Sequence, residues 1–273
     1  MKTSFEFFPP RTEKGKQNLA QVQQELSVIQ PDYFSVTFGA GGTTQDATLE
    51  TILNIQKNDL VSAAPHLSCI GSEKKNIIGL LDQYKAVGIN RIVALRGDIP
   101  SGVRDIGDFH YANELVEFIK THYGEQFHIE VAAYPEMHPQ AKNIHADLQH
   151  FANKVRTGAD SAITQYFYNA DAYFRFVDDI EKLGINIPIT PGIMPITNYT
   201  QLVRFSHMCG AEIPKWILER LKLYENDLDA LSAFGTEVVT NLCQTLKDQG
   251  VNNFHFYSMN RTQPSLDIAK TIL

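Results

Sequence analysis

Cysteine is scarce in this chain: three residues in 273, Cys69, Cys209 and Cys243, far apart and never in a CxxC pair. That pattern suits reduced thiols and leaves neither a disulfide framework nor a zinc-binding cysteine cluster. An excess of positive charge is also missing. The 24 Lys and Arg against 31 Asp and Glu give a formal charge of −7, which argues against a nucleic-acid or anionic-membrane partner. Any anionic ligand must then be met by a few local cations. No apolar run is long enough to span a bilayer, and Met1 to Phe8 lack the apolar core of a signal peptide. A cytoplasmic protein is expected. Solenoid repeats, low-complexity tracts and linker-like breaks in composition are absent too, so residues 1–273 are read as a single domain.

What the chain does have is a regular alternation of strand and helix signals. Strands are predicted at 4–8, 33–38, 63–69, 91–95, 129–136, 161–166, 187–190 and 253–258. Between them, apolar residues recur at helical spacing: Leu19, Val22, Leu26 and Ile29; Ala47, Ile52 and Ile55; Ile77, Leu81 and Tyr84 after a Ser72 cap; Leu115, Phe118 and His122. The pattern continues with Ile144, Leu148, Phe151 and Val155, then Tyr173, Val177 and Ile180. The stretch 202–246 holds more helical pattern than one crossover needs, which predicts inserted helices, one near Pro214 and Trp216. Strands alternating with helices imply a parallel sheet, and eight such repeats at this length imply an α/β (β/α)8 TIM barrel with extra helices before strand eight. The alternative, an open doubly wound sheet, wants a GxGxxG turn that Gly39-Ala40-Gly41-Gly42 does not supply.

In such a barrel the chemistry sits where strands finish. The polar residues at those positions are Glu6, Thr37, His66, Arg96 with Asp98, Tyr134 with Glu136 and His138, Gln165, Asn198, and Asn260 with Arg261. Glu6 lies between Phe5 and Phe7 in sequence, and a carboxylate held out of water favours the protonated form that a general acid must carry. Asp98 would enter the same mouth, giving two carboxylates with separable roles. No metal is expected, because the spacings of His138, His145 and His150 do not put their rings on one helical face. The residues alone reach a barrel enzyme with two working carboxylates. A flavin-free barrel lyase using Glu6 and Asp98, or a non-catalytic ligand-binding barrel, stays open at this point.

Several blocks taken together narrow the choice: Ser4-Phe5-Glu6-Phe7-Phe8-Pro9-Pro10-Arg11, Ser35-Val36-Thr37-Phe38-Gly39-Ala40, Ala64-Pro65-His66-Leu67, Ala94-Leu95-Arg96-Gly97-Asp98, Ala132-Ala133-Tyr134-Pro135-Glu136, Ile163-Thr164-Gln165, and Phe254-His255-Phe256-Tyr257 closed by Asn260-Arg261. In this order and over nearly the whole length, the chain resembles the bacterial methylenetetrahydrofolate reductases. It matches their catalytic barrel, without the adenosylmethionine-sensing regulatory domain of eukaryotic members. The resemblance implies FAD as cofactor, NADH or NADPH as donor, and 5,10-methylenetetrahydrofolate as the substrate converted to 5-methyltetrahydrofolate. Donor and folate would take turns on one flavin in a ping-pong hydride transfer. A homo-oligomer is expected as well, with no nucleic-acid or membrane partner.

Residue by residue, the resemblance makes Glu6 the general acid that protonates folate N10, and Asp98 the charge beside flavin and pterin. His66, Arg96, Gly97, Asp98, Tyr134, His138, Ala141, Asp147 and Lys154 fall on positions lining FAD, with Phe38, Ala40 and Tyr111 as further members. Arg96 and Lys154 would supply the cations that a diphosphate needs. Thr37, Asp98, Gln165, Tyr199 and Arg261 fall to the substrates, Arg261 to the folate's glutamate tail. Tyr199 stands where related chains carry a phenylalanine that stacks on either substrate.

Overall fold

A computed structural model describes residues 1–38, 42–58, 61–98 and 107–273, without the side chains of 42–44. Its strands are β1 Lys2–Phe7, β2 Tyr33–Val36, β3 Ser62–Ser68, β4 Arg91–Leu95, β5 His128–Ala133, β6 Ser161–Thr164, β7 Ile189–Thr190, β8 Gly192–Ile193 and β9 Asn253–Tyr257. All pair in parallel, in the order β7-β6-β5-β4-β3-β2-β1-β9-β8. The two ends of that order, β7 and β8, are separated in the chain only by Pro191. They are two halves of one barrel stave, the first bonded to β6 and the second to β9, so the sheet closes on itself. Proline has no N–H for the ladder, which is why the stave is split, but its carbonyl still accepts from the His255 amide at 3.0 Å.

The helices are α1 Glu13–Ser27, α2 Gly42–Lys57, α3 Lys74–Ala86, α4 Ala112–Tyr123, α5 Ile144–Arg156, α6 Ala170–Lys182, α7 Tyr199–Cys209, α8 Lys215–Leu223, α9 Leu228–Asp248 and α10 Ser265–Ile272. The fold is thus the TIM barrel that the sequence predicts, with the extra helices inside the last crossover. Each helix start has a local cause where a cap is formed. Thr12 accepts from the Gly15 amide, Asn143 from Ala146, Asn169 from Asp171 and Asn198 from Gln201, each satisfying a donor that the first turn leaves open. Ser72 does not cap α3 as predicted: Glu73 takes that position without a side-chain bond, and the Asp108 carboxylate accepts from the Lys74 amide at 2.8 Å.

Two positions on the predicted helix faces also depart from the pattern. Ile144 opens α5 and remains 62% exposed. His122 is exposed and lies over the Phe118 ring at 4.1 Å instead of entering the core. Strands two, five and six finish at Val36, Ala133 and Thr164, a few residues short of the predicted ends, where the chain opens into loops. No helix among the described residues is long and apolar enough to cross a membrane.

Strand alternation divides the molecule. Phe5, Phe7, Phe34 and Phe256 turn outward under the helices, where Phe5 stacks on Phe256 at 5.3 Å and meets Phe34 edge-on at 6.3 Å. Ser4, Glu6, Tyr33, His66, Glu130 and His255 turn inward and meet one another. A lumen lined this way is polar where many barrels hold layers of branched aliphatics. Its buried charge is paired: Glu130 accepts from Arg91 Nη1 at 2.8 Å, from the Tyr33 hydroxyl at 2.7 Å and from Ser161 Oγ at 3.1 Å.

Candidate active site

The C-terminal ends of the strands form the upper mouth, and Glu6 stands in it at the end of β1. Its backbone is fixed from β9: Ser258 Oγ donates to the Glu6 carbonyl at 2.6 Å, and Asn260 bonds both the amide and the carbonyl of Phe8, at 3.0 and 2.8 Å. Met259 and Asn260 both take left-handed backbone angles of φ 54° to make that return. Asn260 is among the rim groups expected from sequence, and its work is that of a clamp joining the first and last strands.

Around the Glu6 carboxylate stand two buried imidazoles. His66 Nε2 lies 3.3 Å and His255 Nε2 3.8 Å from the same oxygen, Oε2, and neither nitrogen has a hydrogen-bond partner. These are ion-pair distances without hydrogen-bond alignment. Buried polar atoms are nearly always satisfied, so two unpartnered nitrogens at one carboxylate mark a place built for proton exchange or ligand contact. The far side of His255 is engaged, with Nδ1 2.7 Å from Ser4 Oγ. The surroundings of Glu6 therefore differ from the sequence expectation: Phe5 and Phe7 face away from it, and imidazoles supply its environment. Burial pushes His66 below the ordinary histidine value, with the Glu6 charge opposing.

Across the mouth, the loops after β4 and β5 gather the cationic groups. Arg96 donates to Gln140 Oε1 at 2.7 Å and to the Gly97 carbonyl at 3.1 Å. Gly97 has φ 84°, and a Cβ there would lie 2.9 Å from Ser68 Cβ, so this turn accepts only glycine. The Asp147 carboxylate accepts from the His138 amide at 2.7 Å, and His138 Nδ1 accepts from the Gln140 amide at 3.0 Å. Burial lowers His138, opposed by Asp147 and assisted by Arg96. Tyr134 meets the His138 ring edge-on at 4.5 Å. Its hydroxyl is pushed up to about 12 by burial and then by the exposed Asp98 charge.

Lys154, half-buried on α5, donates to the Ala132 carbonyl, and burial pulls its ammonium down to about 8 against the opposing Asp147 charge. A cation held at that cost, with Arg96 as a second cation acting on the same His138 ring, fits a diphosphate-bearing cofactor. The unpartnered His66 Nε2 fits a ligand beside it.

The remaining predicted residues are less engaged. Thr37 is half-buried; its amide donates to the Phe7 carbonyl at 2.9 Å and its carbonyl accepts from Thr48 at 3.0 Å. Phe38 packs partly against the core, and the Ala141 amide donates to the His138 carbonyl at 2.8 Å. Gln165 is half-buried, its amide donating to the Ala133 carbonyl at 2.7 Å and its side-chain oxygen accepting from the Tyr166 amide at 3.1 Å. Tyr199 opens α7 and packs partly against the core, next to the Asn198 cap. Tyr111 is 60% exposed at the start of α4, and Arg261 is exposed on the rim. Ala40 lies outside the described residues. Glu136 turns to the neighbouring loop, where it accepts from the Glu212 amide at 2.8 Å, and burial raises its carboxyl.

The structure thus brings Glu6 together with His66, and Asp98, Tyr134, His138, Asp147, Arg96 and Lys154 into one electrostatic neighbourhood. Sequence reasoning missed Ser4, His255 and Tyr257. The signal was the alternation of Phe254-His255-Phe256-Tyr257, which points two polar side chains inward beside Glu6. Tyr257 donates to the Thr164 carbonyl at 2.7 Å, and a Cβ on Gly192 would come within 2.8 Å of its hydroxyl, so Gly192 leaves the space that this tyrosine fills.

The sequence model of the family "Methylenetetrahydrofolate reductase" matches residues 1–272. The chain is 40% identical over 259 residues to the 5,10-methylenetetrahydrofolate reductase of Buchnera aphidicola subsp. Schizaphis graminum, covering 95% of this chain and 87% of that protein. It is 38% identical over 271 residues to that of Escherichia coli (strain K12), covering 98% and 90%. Among solved structures, an uncharacterized protein from Clostridium thermocellum that binds two copies of 5-methyl-5,6,7,8-tetrahydrofolic acid superposes with a TM-score of 0.67 at 15% identity, covering 99% of this chain and 93% of that one. At that identity the likeness is one of fold.

Proposed function

Because the chain belongs to the methylenetetrahydrofolate reductase family, we propose that it reduces 5,10-methylenetetrahydrofolate to 5-methyltetrahydrofolate in the upper mouth, with FAD as cofactor and NADH or NADPH as donor in a ping-pong sequence. The observation that carries this reading is the Glu6 carboxylate with two unpartnered imidazole nitrogens at 3.3 and 3.8 Å. FAD, when bound, supplies the hydride transfer. Arg96 and Lys154 would hold its diphosphate. His66, Gly97, Tyr134, His138, Ala141 and Asp147 would complete its binding surface, with Phe38, Ala40 and Tyr111 at the margins.

The work left to the protein is charge and proton control. Each turnover adds one hydride to the methylene carbon and one proton to folate N10. Glu6 gives that proton, which opens the imidazolidine ring to a 5-iminium cation. The Asp98 carboxylate stabilises the cation by its negative charge. Gln165, Thr37 and Tyr199 would receive the donor and the folate in turn, and Arg261 the glutamate tail.

The test is spectroscopic. Protein supplied with FAD should show bound flavin absorbance, lose it on anaerobic addition of NADH or NADPH, and regain it with methylenetetrahydrofolate while methyltetrahydrofolate forms. A protein that binds no FAD overturns the reading.

A further inference from the structure

The peptide unit joining Thr164 to Gln165 is bonded at both ends, and one of the two bonds comes from a tyrosine that the proposed reaction leaves unused. Its N–H, that of Gln165, donates to the Ala133 carbonyl at the end of β5 at 2.7 Å; its carbonyl, that of Thr164, accepts from the Tyr257 hydroxyl, also at 2.7 Å. The Gln165 side-chain oxygen then accepts from the Tyr166 amide at 3.1 Å. A backbone N–H faces an acceptor, so this bond turns the oxygen of the side-chain amide to Tyr166. Nε2, which bonds nothing among the described residues, keeps its two protons for a ligand acceptor.

Tyr257 reaches the peptide over the split stave. β9 and β6 are not neighbours, because β7 and β8 stand between them. The tyrosine passes only because Gly192 has no side chain: a Cβ there would lie 2.6 Å from Tyr257 Cε2 and 2.1 Å from the Thr164 carbonyl oxygen. Tyr257 is also the register partner of Glu6 on β1. We propose that Tyr257 is a positioning residue for Gln165: by holding the Thr164 carbonyl it fixes the plane of the peptide that carries Gln165, and so the direction in which Nε2 meets the nicotinamide donor and the folate. The inference rests on the substrate contact proposed for Gln165.

Two features favour positioning over simple packing. On the side of the split stave the β6 ladder ends at Ile163, and the Gly192 amide goes to Thr164 Oγ1 at 2.9 Å. The Tyr257 hydroxyl therefore takes the place of a missing backbone donor at the last carbonyl of the strand, where Thr164 is fully buried. A ring that only filled space would need no hydroxyl at that spot, and β8 would not have to give up a side chain to let it through. The held peptide is also the one whose rotation would swing Gln165, and groups that meet a substrate lose much of their effect when displaced by about 1 Å.

The experiment is Tyr257→Phe, which removes the hydroxyl and keeps the ring. Amide hydrogen exchange of the unliganded protein, read residue by residue by NMR, should show the Gln165 amide exchanging about tenfold faster or more, while that of Ala162, bonded to the Pro188 carbonyl, keeps its rate. KM for methylenetetrahydrofolate should rise by about tenfold, with FAD content and the pH profile of folate reduction unchanged. In a Gln165→Ala background the same change should add less than about twofold, because the group being positioned is gone. Thr164→Val, which frees the Gly192 amide and leaves Tyr257 in place, should speed Gln165 exchange in the same direction. Unchanged Gln165 exchange in both variants overturns the inference. So do losses that multiply with those of Gln165→Ala, and so does a shifted pH profile, which would put the action of Tyr257 on Glu6. Failure to bind FAD overturns the proposed function instead, and exchange on the unliganded protein still decides whether Tyr257 holds the peptide.

Discussion

Ser258 Oγ donates a hydrogen bond to the Glu6 carbonyl at 2.6 Å, tying the residue after the last barrel strand to the backbone of the candidate acid on the first. Closure of the barrel and placement of the carboxylate are therefore one contact. Ser258 is buried, so Ser258→Ala leaves an acceptor unsatisfied and should cost about 1–3 kcal/mol of stability. The measurement is a denaturant melt paired with the two half-reactions: folate reduction should fall further than flavin reduction by the nicotinamide. Equal effects on both would make Ser258 a closure residue only.

Glu6→Gln keeps the shape of the side chain and removes its exchangeable acid proton. Folate reduction should drop by roughly 10²–10⁴-fold, the range of general acid catalysis, while the nicotinamide half-reaction persists. Stopped-flow traces of the two half-reactions separate these outcomes. Asp98→Asn should slow folate turnover with flavin still bound, because it would remove the charge proposed to stabilise the cationic intermediate.

Much of the fold was legible because each strand carries its own apolar signal and each helix its own period, as at Arg91–Leu95, where the predicted and observed strands coincide. The split stave at Pro191 was not, since two-residue strands carry no periodicity and their pairing depends on partners far away in the chain. The same holds for the site. Glu6 stood out as a carboxylate at a strand end, but its neighbours did not: His66 and His255 reach it through barrel closure, and His255 bonds Ser4 across 251 positions of sequence. Reading Phe5 and Phe7 as its environment failed because neighbours along a strand face opposite sides of the sheet.

Lys154 gives a prediction with a definite sign. Burial holds its ammonium at about 8, so the cation is largely lost above that pH in the free protein. An anionic diphosphate binds the protonated form, so FAD affinity should weaken as pH rises through about 8, and binding in that range should take up protons. Isothermal titration in buffers of different ionisation enthalpy reads both effects. Lys154→Met should bind FAD more weakly and lose this pH dependence; a retained dependence would assign it to another group.

His66 makes the acid side of the stability profile equally specific. Its value in the folded protein lies below the unfolded 6.5 because burial penalises the imidazolium more than the Glu6 charge rewards it. The unfolded chain therefore binds protons that the folded one refuses, and stability falls as pH drops from 6.5 through the lower folded value. His128 and His138 are shifted in the same direction by burial and add to the slope. Thermal melts from about pH 8 to about pH 5 should show this loss, and His66→Gln should flatten it. If a flavin and folate occupy the mouth, their contacts to the neutral ring should steepen the same dependence, since protonation then opposes binding as well as folding. An unchanged slope in His66→Gln would show that this imidazole escapes protonation, or its penalty, by a local rearrangement around Glu6.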